Sequence, residues 1–356
     1  MKRVKKQATC LLLFFLLTGL TTLNAQVVAI KDLSHKRQYY YDSLKKMNYD
    51  RIFPIYGDKV YKKGFDIPFP FGIMINNFVG RQDVLISNLQ VSVRDGDTIL
   101  GPADLSDVIE FSKVEAKVYN LNLRADMYIF PFLNVYGLLS YLPHASTEVA
   151  VSKPVEFSTK AEQHGWAYGF GIMGAGGVGP AWLQADYSIN WADMQLLDNK
   201  VVTQIMGIRL GHVFPSKLDP QKNISVWIGA MGIFINNDTK GEVALDEIFS
   251  GISQEKIDEI KQSYNSWYDK LDPAEKKVID KIVQKLQDKV DNRPTRDVHI
   301  IYEMDKDLKS NWAGLMGVQF QFNKRWQLRS ESNFIGGNRF SVLLSLNYRF
   351  LGFKKK

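Results

Sequence analysis

The chain has 356 residues, a formal net charge of +7, 12% aromatic residues and a single cysteine. Four of the positive charges (Lys2, Arg3, Lys5 and Lys6) and the cysteine (Cys10) lie in the first 25 residues. Without those residues the net charge is +3 and no thiol remains, which excludes a disulfide framework and thiol catalysis and removes the basic pI as a sign of nucleic-acid binding.

The basic start is followed by an uncharged apolar run over residues 11–20 and the small residue Ala25. This order is that of a secretory signal peptide, with cleavage expected near Ala25; the run is too short to cross a membrane as a helix. Cys10 precedes the apolar run, where a lipid-modified cysteine would follow it. No run of about 20 apolar residues occurs further on, so helical membrane spans are excluded, whereas a membrane barrel of half-apolar strands is not.

Residues 26–66 are polar and tyrosine-rich, with Tyr39, Tyr40 and Tyr41 in succession, and read as an N-terminal segment in the periplasm or the barrel lumen. Residues 67–350 carry the strand pattern. In 119–129, Tyr119, Leu121, Leu123, Ala125, Met127 and Ile129 alternate with Asn120, Asn122, Arg124, Asp126 and Tyr128. Because a strand has a period of two, these sets point to opposite faces. The same alternation runs through 181–191, 312–323 and 340–350, and more weakly through 84–93, 133–141, 166–178, 202–214, 224–235 and 326–334. Ten strands result. Residues 69–79 read as a strand or a lumenal stretch and 148–159 as part of a loop; if both cross, the count is twelve.

Aromatics at strand ends (Trp166, Trp191, Trp312, Trp326, Tyr348, Phe350) suit membrane interfaces. The links at 130–132, 179–180 and 323–325 are short and that at 215–222 is somewhat longer; those at 94–118, 142–165 and 236–310 are long. With the last strand running inward to Phe350, the short links fall on the periplasmic side and the long ones outside, as outer-membrane barrels have them. The fold class is therefore all-β: an antiparallel transmembrane β-barrel of ten, or twelve, strands.

An extracellular insert, residues 237–309, holds a helical hairpin at 253–292. Ile257, Ile260, Tyr264, Trp267 and Leu271 form one stripe; Val278, Ile279, Ile282, Val283, Leu286 and Val290 form the second. The simplest arrangement packs the two stripes on each other. Asp272, Pro273 and Glu275 form a capping box that starts the second helix.

Leu344, Leu346, Tyr348 and Phe350 resemble the C-terminal strand signature of Gram-negative outer-membrane proteins, although a tail, residues 351–356, follows Phe350. The runs Arg124-Ala125-Asp126-Met127-Tyr128 and Leu133-Asn134-Val135-Tyr136-Gly137 resemble hairpins of uncharacterised, porin-like bacterial barrel proteins. The resemblance implies a cell outer-membrane location, contact with membrane lipid and lipopolysaccharide, and recognition of the signature by the barrel-assembly machinery.

For enzymes the sequence offers little. The five histidines (35, 144, 164, 212, 299) lack metal-ligand spacing, and His212 alternates onto an apolar face. The glycines over 174–179 lack the Lys-Ser/Thr end of a phosphate loop. Asp238, Asp246 and His299 only loosely evoke a hydrolase at the barrel rim. No cofactor and no metal is expected. The candidate site is the polar set assigned to the lumen: Arg124, Asp126, Asp186, Arg209, Arg329, Glu331 and Arg349. It reads either as cross-strand pairs that fill a narrow barrel or as a constriction selecting solutes by size and charge. The leading functional expectation is passive transport of a small solute; the alternative is a non-enzymatic structural or surface-binding barrel that displays the insert, and a rim hydrolase stands third.

Overall fold

The computed structural model describes residues 35–107, 109–153, 156–178, 181–216, 219–236, 238–244, 268–290, 298–336 and 338–355. The leader, the first helix of the expected hairpin and Asp246 lie outside the described residues.

Ten strands close into a barrel: β1 (Phe71–Asp95), β3 (Glu110–Phe130), β4 (Leu133–Lys153), β5 (Phe157–Val178), β6 (Ala181–Met194), β7 (Val201–Pro215), β8 (Asn223–Ile235), β11 (Trp312–Gln321), β12 (Trp326–Ile335) and β13 (Arg339–Phe350). Each is antiparallel to its neighbours, and β13 returns to β1 from Phe350 opposite Phe71 to Arg339 opposite Gln82. Closure leaves no sheet edge in the wall, so every backbone polar group there can pair without water.

The period of two sets the two faces. In β13, Phe340, Val342, Leu344 and Leu346 are exposed on the outside, while Arg339, Ser341, Ser345, Asn347 and Arg349 are buried inside. Aromatics gather at both margins of the outer belt. Phe71, Phe350, Tyr348 and Trp326 stack in sequence at the end bearing the short turns, and Tyr141 with Trp166 and Phe234 with Trp312 mark the opposite, loop end. Ten residues of β13 separate Phe340 from Phe350, about 33 Å of strand. At a tilt near 40° that is about 25 Å of height, the thickness of an outer-membrane apolar band.

The ten-strand count holds, but its first member differs from the sequence reading. Residues 69–79 and 84–93 belong to one strand, β1, whose first half, to Asp83, lies in the wall. The second half, from Val84, leaves the barrel and pairs with β10 (Val298–Leu308) and β2 (Thr98–Asp104). Between Ser87 and Gln90 the register shifts at Asn88, which has a left-handed φ of 53°. One extra residue reverses the faces, so Leu89, Val91 and Val93 become the buried set. The stretch 148–159 adds no crossing either: residues 148–153 and 157–159 are the outer ends of β4 and β5, paired up to Val151 opposite Phe157.

Beyond the loop end, β1, β2, β9 (Asp238–Ala244) and β10 form a small sheet. The helix Pro273–Val290 packs on it through Val278 and Ile279, against Leu89, Val91, Val93, Ala103, Leu105, Leu271 and Val298. The expected capping box is present: Asp272 Oδ1 accepts from the amides of Ala274 (2.7 Å) and Glu275 (2.8 Å), and Glu275 Oε2 accepts from the Asp272 amide (2.6 Å). Val278 and Ile279 of the second stripe pack on the sheet, where the bulge in β1 offers three apolar side chains on one face, and on Leu271 of the first stripe; the rest of the first stripe lies outside the described residues, and Tyr268 lies beside this core.

The N-terminal segment is folded. α1 (His35–Lys46) and α2 (Gly57–Lys62) enclose a core of Leu44, Val60, Tyr61 and Ile67, flanked by Tyr40, Tyr41, Tyr49 and Phe65. The tyrosines that make the segment look polar are thus largely its core. With the loop residues up to Pro70 it forms a cap across the turn end of the barrel. The Ile55 amide donates to the Ile129 carbonyl and the Tyr128 amide to Pro70, both at 2.8 Å. The residues after Phe350 are not an idle tail. Arg51 pairs with Lys354 as a β-bridge, with the Ile52 amide donating to Phe353 (3.2 Å) and the Lys355 amide to Asp50 (2.7 Å). The C-terminus clasps the cap.

Candidate functional site

Many inward residues of the wall are polar, and they join to one another across neighbouring strands and across the lumen. Neutral amides form short chains. Asn76 donates to Asn122, which donates to Ser140, both at 2.7 Å; Asn347 donates to Gln327 at 3.0 Å, and Gln327 to Gln321 at 3.2 Å. The structure places all seven residues of the sequence-derived set on the inner face and sorts them into two groups.

The first group joins β6, β7, β8 and β12. Arg209 donates to Glu331 through Nε (2.7 Å) and Nη2 (2.8 Å), a bidentate pair, and also to Asp186. Arg329 Nη2 reaches the same Glu331 at 2.6 Å, and Trp227 Nε1 donates to it at 2.8 Å. Arg209 and Glu331 side chains are only 7% and 4% exposed. Since β7 and β12 are not neighbours, this contact is a chord across the barrel. Glycines make room for it. A side chain on Gly207 would strike Arg209 and Asp186, and one on Gly317 would come within 2.2 Å of the Trp227 ring.

The second group sits at the turn end. Arg349 Nη2 donates to Asp126 at 2.8 Å, and its Nε to the Phe69 carbonyl at 2.9 Å, which ties the cap to the lumen charges. Asn134, fully buried, donates to Asp126 at 2.7 Å and accepts from Arg124 at 3.1 Å. The Arg124 guanidinium lies 3.7 Å over the Tyr136 ring.

The sequence reading missed Trp227, Asn134, Tyr136 and Arg339. An inward Trp or Tyr carries no signature of its own, because aromatics on barrel strands ordinarily mark the interface. Arg339 closes the loop end of the lumen: it donates to Gln82 and to the carbonyls of Met231 (3.4 Å), Ser310 and Asn311 (both 3.3 Å).

Between the charge groups and the cap lies a chamber of about 350 Å³, lined from below by Gln38, Tyr41 and Lys63 and from above by Arg124, Arg329 and Trp182, among others. The cap is anchored under it by Lys324 in the β11–β12 turn. Lys324 Nζ is 2.7 Å from Asp66 and faces the rings of Tyr40, Tyr61 and Phe69 at 5.5 to 5.9 Å. Asp66 also accepts from the Tyr40 hydroxyl at 2.7 Å. Burial raises the Tyr40 and Tyr61 hydroxyls above the ordinary tyrosine value, and the Asp66 charge adds to it. A depression of about 560 Å³ on the outer wall, beside Phe71, Met127, Val135 and Phe170, opens toward lipid.

The apolar belt between aromatic margins, the polar interior and the closed ten-strand wall decide the class. This is a β-barrel protein of the outer-membrane type. No family model matches the sequence, and no curated protein does. Solved structures that match include the β domain of the Bordetella autotransporter BrkA (10% identity, TM-score 0.35, covering 79% of this chain and 100% of that one). OprG from Pseudomonas aeruginosa matches at 10% identity and TM-score 0.36, covering 80% and 100%. The translocator domain of NalP from Neisseria meningitidis matches at 11% and 0.34, covering 82% and 92%. The likeness is one of architecture alone.

The rim residues do not converge. Asp238 lies opposite Asp305 and His299 opposite Ala244, at the two ends of the β9–β10 pair, about 20 Å apart along the strand. His299 pairs instead with Glu242 at 3.2 Å. His212 faces outward against Phe214, and Gly174 to Gly177 are strand residues paired with β6 rather than a phosphate loop.

Proposed function

We propose that the protein is a non-enzymatic conduit for a small solute that rests shut, with the cap on the periplasmic side. The observation that carries this reading is the chamber between the cap and the lumen charges, whose lining combines charged, polar and apolar side chains. Cap and ion pairs are two barriers in series, and both are held by side chains and short backbone contacts rather than by the barrel wall. The distribution of short turns and long projections supports the periplasmic position of the cap. The outward belt suits membrane lipid and lipopolysaccharide, and Leu344 and Leu346 remain exposed on it, where the barrel-assembly machinery would meet them.

Planar-bilayer conductance of the full chain tests the reading. The wild type is expected to open rarely and the Lys324→Ala/Glu331→Gln variant often, because the first substitution removes the Asp66 ion pair and the aromatic contacts of the cap anchor and the second removes the carboxylate that joins Arg209 and Arg329 across the lumen. No opening in either variant would overturn it. That outcome would favour the second reading, a scaffold that displays a surface at the loop end. The observation behind the second reading is the separate apolar core shared by the helix Pro273–Val290 and its sheet.

A further inference from the structure

The charge balance of the chamber identifies the kind of ligand it suits. Its lining holds six cationic side chains, Lys45, Lys63, Arg124, Lys324, Arg329 and Arg349, against two carboxylates, Asp66 and Asp126. Both carboxylates are engaged. Asp66 is held by Lys324 and the Tyr40 hydroxyl, and Asp126 by Arg349 and Asn134. Arg329 shares Glu331 with Arg209. Arg124 has no ion pair among the described residues.

Two buried guanidinium donors have no acceptor among the described residues: Nε of Arg124 and Nε of Arg329. A buried guanidinium N–H without an acceptor is costly, since hydrogen bonds to charged groups are the strong ones and their loss is felt in full. Asp126 Oδ2 also lacks a donor, but it is turned onto Gly72 in the wall, where an added Cβ would meet it at 2.6 Å. Asp66 Oδ1 and Asn347 Oδ1 in the lining also lack a hydrogen-bond donor, but Asp66 Oδ1 is ion-paired with Lys324 and Asn347 is neutral, so the charged part of the unmet capacity is that of the two guanidinium donors. The planar fork of arginine matches oxygens of a carboxylate or phosphate. The volume is at the low end of small-molecule sites.

We infer that the chamber binds a small oxyanion, a carboxylate or phosphate compound, between the guanidiniums of Arg124 and Arg329. This deepens the conduit reading by naming its solute class, but it rests on the chamber and not on flux, so binding can succeed where conductance fails.

The test is calorimetric titration of the full chain in detergent with inorganic phosphate and with succinate, using glucose and choline as controls. Saturable binding of phosphate or succinate, with none for glucose or choline, is the expected result. Each of Arg124→Gln and Arg329→Gln should weaken it at least tenfold, and Arg124→Lys, which keeps the charge without the fork, should restore only part. Quenching of Trp182 and Trp227 fluorescence by the same anions in the wild type gives a reading that needs no variant. Absence of both heat and quenching with either anion, equal binding of glucose, or binding unchanged in folded Arg124→Gln and Arg329→Gln proteins would overturn the proposal.

Discussion

Glu331→Gln probes the lumen closure at its centre. The Glu331 carboxylate accepts four hydrogen bonds, two from Arg209, one from Arg329 and one from Trp227, at 2.6 to 2.8 Å. Three of these bonds end on Oε2 and one on Oε1, so glutamine, with one acceptor oxygen, loses at least the Arg209 Nη2 bond, turns an NH₂ toward that guanidinium and removes the negative charge from both arginines. Arg209 retains Asp186, whereas Arg329 is left with no carboxylate partner among the described residues. Hydrogen bonds to charged groups contribute about 1.5–3 kcal/mol each, and breaking one side of a buried pair costs about 3–5 kcal/mol. A loss of about 3–5 kcal/mol is therefore expected in urea unfolding of the detergent-solubilised protein, followed by tryptophan fluorescence. The double variant Arg329→Gln/Glu331→Gln leaves a balanced Arg209–Asp186 pair and should be more stable than additivity predicts, by about 1–3 kcal/mol. Stability within about 1 kcal/mol of wild type for Glu331→Gln, with an additive double variant, would refute the view that this cluster seals the lumen.

Other perturbations act on separate parts. Leu44→Ala, at a side chain with no solvent exposure in the cap core, should cost the cap about 2–5 kcal/mol and expose residues 35–70 to protease while the barrel stays resistant. Gly317→Val should displace the Trp227 ring and destabilise by about 1–3 kcal/mol, seen as a shift in tryptophan emission; an unchanged spectrum would contradict the close fit. The Tyr40, Tyr49 and Tyr61 hydroxyls are all raised above 10.0, chiefly by burial. The folded cap thus holds these protons more tightly than the unfolded chain does. Its stability is full below pH 10 and falls as the pH rises beyond that value; protease susceptibility of the cap should follow, and a flat profile through the alkaline range would contradict it. Asp272→Ala should remove about 1 kcal/mol from the helix Pro273–Val290, measurable as faster amide exchange in its first turn.

What the sequence made legible follows from where alternation is uninterrupted. β12 and β13 pair without a register shift, so their faces, and the inward positions of Arg329 and Glu331 on β12 and of Arg349 on β13, can be read directly. In β1 the polar run Arg81-Gln82-Asp83 interrupts the apolar alternation and divided one strand into two apparent ones, and the phase change at Asn88 lies within the second of them. The capping box at Asp272 is local and was fully legible; the surface covered by the helix behind it is set by tertiary packing and was not. The cap was hidden because tyrosine is ambiguous: Tyr61 is 3% exposed while Tyr39 is 79% exposed, and nothing in their spacing distinguishes them. Pairing partners were equally out of reach, since the contact of Arg209 with Glu331 spans 122 positions and depends on barrel closure.

The central claim is that the cap gates the chamber, and a reversible lock tests it most directly. Arg51 and Lys354 face each other in a non-hydrogen-bonded antiparallel pair, flanked by the Ile52–Phe353 and Lys355–Asp50 bonds. Such pairs have Cα atoms about 4.5 Å apart, within disulfide range. The sequence's single cysteine is Cys10. The variant Arg51→Cys/Lys354→Cys should show no conductance when oxidised and recover openings on reduction. Conductance that is the same in both states would contradict the gate.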